Sequence, residues 1–109
     1  MRRGLIICLA TCALIAGCGP DEEDVLFDGQ FYRSGVKTER GTRDRFTVTA
    51  RPVSASLLGA REAARYEATV YCVNNFGRSD IIWTVGPESP DEQLTIENDT
   101  LTLSGRCQQ

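Results

Sequence analysis

The stretch Arg45-Phe46-Thr47-Val48-Thr49-Ala50-Arg51 restricts the fold of this chain more than any other. Its apolar residues recur at every second position, which puts them on one face of a β-strand. The arginines and threonines then occupy the opposite face. A strand of this kind needs partner strands and a covering layer on one side only. Pro52 closes it, because proline has no amide hydrogen to give to a sheet. Upstream, QFYRSGVK (30–37) reads as a first strand interrupted by Gly35, and the polar KTERGTRD (37–44), with Gly41, reads as the turn. Together they predict a hairpin.

Beyond Pro52, Ser54 or Ser56 is placed to cap a helix. Leu57, Ala60, Ala64, Ala68, Tyr71 and Cys72 recur at spacings of three and four, an amphipathic stripe. Arg61, Glu62, Arg65 and Glu67 lie mostly off its centre, and Gly77 is placed to end it. YEATVYCV (66–73) is rich in β-formers, and Tyr66, Val70 and Val73 make a second stripe nearly opposite the first. This half is either a helix packed on two sides or a strand. The lack of Gly and Pro from Ala60 to Phe76 favours one helix. Asp80-Ile-Ile-Trp-Thr-Val reads as a third strand closed by Gly86-Pro87, and ESPDE (88–92) as a turn. Leu94-Thr-Ile96 and Leu101-Thr-Leu103 flank Glu97-Asn98-Asp99 as a terminal hairpin. The predicted order is β-β-α-β-β-β, an α+β fold with one main helix and a mostly antiparallel sheet.

The N-terminus carries a different signal. Arg2 and Arg3 precede twelve uncharged residues, Leu5 to Ala16, too few for the roughly 20 that span a bilayer. Ile15-Ala16-Gly17-Cys18 follows, then four consecutive acids, Asp21 to Asp24. This pattern resembles the lipobox of bacterial lipoproteins. The resemblance implies a signal peptide over 1–17, acylation of Cys18 and multiple acyl chains, as stable anchoring requires. Residues 18–28 would be the lipidated cysteine and an acidic tether, and 29–109 a single small domain. YCVNNFGRSDIIWTVGP (71–87), with the lipobox upstream, is similar to small Gram-negative envelope lipoproteins, a resemblance that implies no activity. By analogy with enteric lipoproteins, Gly19 in place of an aspartate favours the outer membrane, periplasmic side.

On this reading Cys8 and Cys12 leave with the signal and Cys18 is lipidated. Of five cysteines, Cys72 and Cys107 remain as a pair in an oxidising compartment, so one disulfide is expected. A domain of this size has a limited core and benefits from such a staple.

Removing Arg2 and Arg3 leaves ten basic against fifteen acidic side chains, a net of −5. The charges are segregated. Residues 19–28 carry five acids and no base. Residues 33–51 carry Arg33, Lys37, Arg40, Arg43, Arg45 and Arg51 against Glu39 and Asp44. Residues 79–105 carry six acids and no base. Arg33, Arg45 and Arg51 are the candidate face for an anionic partner, whose oxyanions arginine binds bidentately. Cross-strand pairing with the protein's own acids is the competing and favoured account. An envelope location argues against nucleic acid.

The chain has no histidine, which removes Ser–His–Asp and Cys–His nucleophile systems and histidine zinc sites. It has no CxxC, Walker loop or dinucleotide fingerprint. Asp80 beside Trp83 would suit a carboxylate glycosidase, but a strand start and a core tryptophan explain them better. Glu22-Glu23 and Asp91-Glu92 lack EF-hand spacing, and Asn98-Asp99-Thr100 reads as a turn rather than a glycosylation acceptor. No catalytic residue, metal or cofactor is assigned. The expectation is a non-enzymatic envelope lipoprotein, held to the membrane through Cys18, that acts as a binding or assembly accessory for an envelope protein or the cell wall. The rivals are a small cell-wall hydrolase using carboxylates alone and an inhibitor of a lytic enzyme.

Overall fold

A computed structural model describes residues 25–39 and 41–109. The signal segment, the lipobox with Cys18, and the acidic run Asp21–Asp24 with Glu22-Glu23 lie outside the described residues, as does Arg40. The described chain runs β1 (Leu26–Phe27), β2 (Gln30–Phe31), β3 (Arg33–Glu39), β4 (Thr42–Arg51), α1 (Leu57–Phe76), β5 (Ile81–Val85), β6 (Thr95–Glu97) and β7 (Thr100–Cys107). The fold is α+β, with one main helix, an antiparallel sheet and one disulfide. Two short strands precede the five strands and one helix expected. The segment from Gln30 is broken at Tyr32 rather than at Gly35, which continues within β3.

The extra strands come from Asp28-Gly29, whose φ values of 55° and 73° make the tight two-residue turn that aspartate and glycine accept. β1 and β2 pair as a miniature antiparallel hairpin. The folded domain therefore starts before residue 29, with Leu26–Asp28 part of it and not of a tether. Phe27 packs against Tyr66 of the helix, ring centroids 5.7 Å apart. Buried Tyr32 donates its hydroxyl to the Ser56 carbonyl at 2.8 Å.

The main sheet has the order β3-β4-β7-β5, with β6 pairing the other end of β7. β4 is central, and its alternation works as the sequence predicts: Phe46, Val48 and Ala50 are buried. In β7 the buried set is Leu101, Leu103, Gly105 and Cys107. The β6–β7 turn puts Asn98 and Asp99 at φ 53° and 61°. The Asp99 carboxylate accepts from the Ser54 amide at 2.8 Å and hydroxyl at 2.7 Å, tying this hairpin to the entry of the helix.

α1 covers one face of the sheet. Ser56 is its cap, its hydroxyl oxygen accepting from the Gly59 amide at 3.0 Å. Gly77, at φ 75°, ends it, its backbone N–H donating a hydrogen bond to the Val73 carbonyl. The residues 66–73 are helical, so the β-formers are overridden by an uninterrupted apolar repeat that reaches the core. The buried face is almost all small: Gly59, Ala60, Ala63, Ala64, Ala68 and Cys72. Small side chains let the helix axis approach the larger Val48, Leu101 and Leu103 of the sheet. The second stripe is not a second packed side. Tyr66, Val70 and Val73 are 47%, 37% and 44% exposed, with Tyr66 partly covered by the β1–β2 hairpin.

Cys72 and Cys107 form the disulfide, Cα atoms 5.5 Å apart, and both are fully buried. It joins the last turns of the helix to the last residue of β7. Next to it, Phe46 and Trp83 meet edge to face at 5.7 Å. The tryptophan reaches this position because residue 105 of the facing strand has no side chain. A Cβ there would lie 2.9 Å from the Ile82 carbonyl oxygen and 3.1 Å from the Trp83 ring.

Two outcomes test this core. The Cys72→Ala/Cys107→Ala protein should lose about 4 kcal/mol of unfolding free energy in urea titration, the chain-entropy value for a loop of this length. Gly105→Ala should cost about 1–3 kcal/mol through overpacking. Emission from the single tryptophan should also shift as its ring is displaced.

Candidate functional site

With the helix on one face, the other face of the sheet carries no covering element among the described residues. It is built from the outward positions of each strand. β4 supplies Arg45, Thr47, Thr49 and Arg51, alternating with its buried residues. β7 supplies Thr102, Ser104 and Arg106. β3 supplies Arg33 and Lys37, since Ser34 on its other side reaches Glu67 of the helix. β5 supplies Ile82 and Thr84.

The register turns these into a ladder. Arg45 stands opposite Arg106, Thr47 opposite Ser104, and Thr49 opposite Thr102. Arg51 stands opposite Arg33, and Lys37 opposite Thr47. Two rungs of hydroxyls thus lie between two arginine rungs. Arg45 and Arg51 are six residues apart on one strand, about 20 Å along it. Lys37, Arg45 and Arg106 line a groove of about 630 Å³ together with Glu39, Thr47, Thr84 and Ser104. At the other end Arg33 and Arg51 share a smaller groove of about 360 Å³ with Phe31 and Pro52.

Like charges directly opposite each other in a sheet are destabilising, and here two such pairs stand on one face. Neither makes an ion pair among the described residues, although Glu39 lines the groove beside Arg45 and Arg106. The acids that form ion pairs do so elsewhere. Arg61 donates to the Pro87 and Ser89 carbonyls at 2.8 and 2.7 Å and also holds Asp91. Arg65 meets Glu62 at 3.3 Å and Glu88 at 3.2 Å, and Arg78 meets Asp80 at 2.8 Å. Arg43 turns to the helix side, bonding Asn75 at 2.7 Å and lying over the Phe76 ring. The ion pairs of the described residues therefore lie on or beside the helix. The competing account pairs these arginines with the acidic tether and the C-terminal loops: the loop acids make no ion pair with Arg33, Arg45 or Arg51, and the tether acids Asp21–Asp24 lie outside the described residues.

The structure puts the three predicted arginines on one face, but as two ends rather than one cluster. Sequence reasoning missed Arg106. Its signal was present: the Leu101, Leu103 alternation continues through Gly105 and Cys107, which leaves Arg106 facing outward. Lys37 was counted with the basic stretch but not singled out. Of the other candidates, the Asp80 carboxylate takes the Arg78 guanidinium, while Trp83 is on the core side of β5 against Phe46. Asp91 of the Asp91-Glu92 pair is held by Arg61. No group of three or more His, Cys, Asp or Glu placed to hold a metal occurs among the described residues, and none of their helices is long and apolar enough to cross a membrane.

Comparison with protein-family models, curated proteins and solved structures finds no match to this chain.

The like-charge pairing has a measurable consequence. Arg45→Glu/Arg51→Glu converts both arginine rungs into opposite-charge rungs. Such pairs are worth about 0.2–1 kcal/mol each in a sheet, so the melting temperature should hold or rise slightly. A clear fall would mean that these side chains carry packing the open face does not show.

Proposed function

We propose that this protein is a lipid-anchored accessory of the bacterial envelope, which uses the open sheet face to hold an anionic envelope partner. The observation that carries the binding role is the pair of like-charged arginine rungs on an uncovered face. Their mutual repulsion costs stability, and a bound oxyanion relieves it through bidentate hydrogen bonds. Edge protection accounts for charges on outer strands such as β3, but Arg45 and Arg106 are on β4 and β7, inside the sheet.

The anchor rests on the order of basic start, short apolar run and Cys18. A buried Cys72–Cys107 disulfide accords with export, since such bonds persist in oxidising compartments. Gly19 favours the outer membrane. In this role the helix and disulfide keep the sheet rigid, and the chain ahead of Val25 joins it to the membrane.

Two measurements test the reading. Cys18→Ala should abolish incorporation of labelled palmitate, and unchanged detergent partitioning of that variant would remove the anchor. Full-length protein in detergent, immobilised on a support, should retain fragments of its own envelope. Arg45→Glu/Arg51→Glu should retain at most about a tenth as much, since loss of a charge-assisted contact is worth about tenfold or more. Equal retention would remove the sheet face from the role.

A further inference from the structure

We infer that the ligand of the open face is an elongated anionic glycan, a polysaccharide strand bearing carboxylate or phosphate groups, laid along β4 and β7. The inference rests on the proposed binding role of this face and names the chemistry of what it holds.

The arrangement of groups leads to this class. The two arginine rungs are separated along β4 by about 20 Å, so one compact anion cannot satisfy both. A strand with repeated anionic groups can. Arg45 and Arg106 are direct cross-strand neighbours, close enough to converge on one oxyanion from two sides, with Lys37 in the same groove and three basic groups there against the single acid Glu39. The surface between the rungs is hydroxyl, not apolar. Thr47, Ser104, Thr49 and Thr102 form two facing pairs, each side chain able to donate and accept. That matches the alternating donors and acceptors of a sugar chain. At the far end exposed Phe31 shares the groove of Arg33 and Arg51, offering an aromatic face to the apolar side of a sugar ring.

Other polyanions fit less well. A protein partner is normally held by apolar and aromatic anchors at the centre of the interface, whereas the centre here is threonine and serine, with Ile82 only at the rim. Single-stranded nucleic acid needs successive aromatic platforms, and the hydroxyl rows hold none.

The test uses full-length protein in detergent micelles, with fluorescently labelled oligogalacturonates as probes. An octasaccharide is long enough to engage both arginine rungs, and a disaccharide only one. The octasaccharide should bind on the order of a hundredfold more tightly than the disaccharide, as bridging two sites does. Arg33→Glu/Arg51→Glu should abolish that length dependence, bringing the octasaccharide down to the affinity of the disaccharide. A polyglutamate peptide of equal charge, lacking sugar hydroxyls, should bind about tenfold more weakly than the octasaccharide, and neutral dextran not at all.

Equal affinity for the short and long oligosaccharides would overturn the inference, as would equal affinity for polyglutamate or no oligogalacturonate binding. If envelope capture still depends on Arg45 and Arg51 when galacturonate is ignored, the binding face stands and only the glycan is wrong. If both are lost, the face itself has no such role.

Discussion

Everything in this domain follows from a helix with an alanine face pressed against one side of an antiparallel sheet and locked there by Cys72–Cys107. Ala60, Ala63, Ala64 and Ala68 have almost no exposure, and their size lets the helix sit low over Val48, Leu101 and Leu103. Alanines contribute little buried area each, so a core built on them is thin. The disulfide compensates where it is most needed, between the last turns of the helix and the last strand. Its effect falls mainly on the unfolded chain, whose freedom it restricts.

Around this core, side-chain hydrogen bonds fix the loops to the helix. Ser56 is the busiest. Its carbonyl accepts from Tyr32, its hydroxyl oxygen accepts from Gly59 and its hydroxyl donates to Asp28 at 2.6 Å. Ser54 is held by Asp99, so both hairpin turns converge on the start of α1. Arg61 gathers the loop after β5 in the same way. The acids of the C-terminal half are used largely for this fastening. That is the physical reason Arg33, Arg45, Arg51 and Arg106 make no ion pair among the described residues.

One helix cannot cover two faces. The sheet is packed on one side, and the other keeps the threonines, serines and arginines that strand alternation directs there. On that face the fold places arginine opposite arginine twice, with hydroxyls between. The helix has its own open stripe at Tyr66, Val70 and Val73, flanked by the β1–β2 hairpin. The arginine face is distinguished from it by two grooves and by arginine rungs that make no ion pair among the described residues.

Much of this was legible in local pattern. Alternation over 45–51, the three–four repeat from Leu57 to Cys72, Ser56 and Gly77 as caps, and the Asn98-Asp99 turn each depend on residues near one another in the chain. Such signals act through backbone sterics and short-range burial, which sequence reports directly. The β1–β2 hairpin was missed because two-residue strands have no periodicity to detect, although Asp28-Gly29 marked its turn. The helical state of 66–73 was ambiguous because Tyr and Val serve either structure, and the packed alanines decided it. The site divides in the same way. Alternation alone determined that Arg45 and Arg51 face outward together. Strand order and register decided that Arg106, more than fifty residues away, stands opposite Arg45 and that Arg33 stands opposite Arg51, because cross-strand neighbours are chosen by pairing in space and not by distance along the chain.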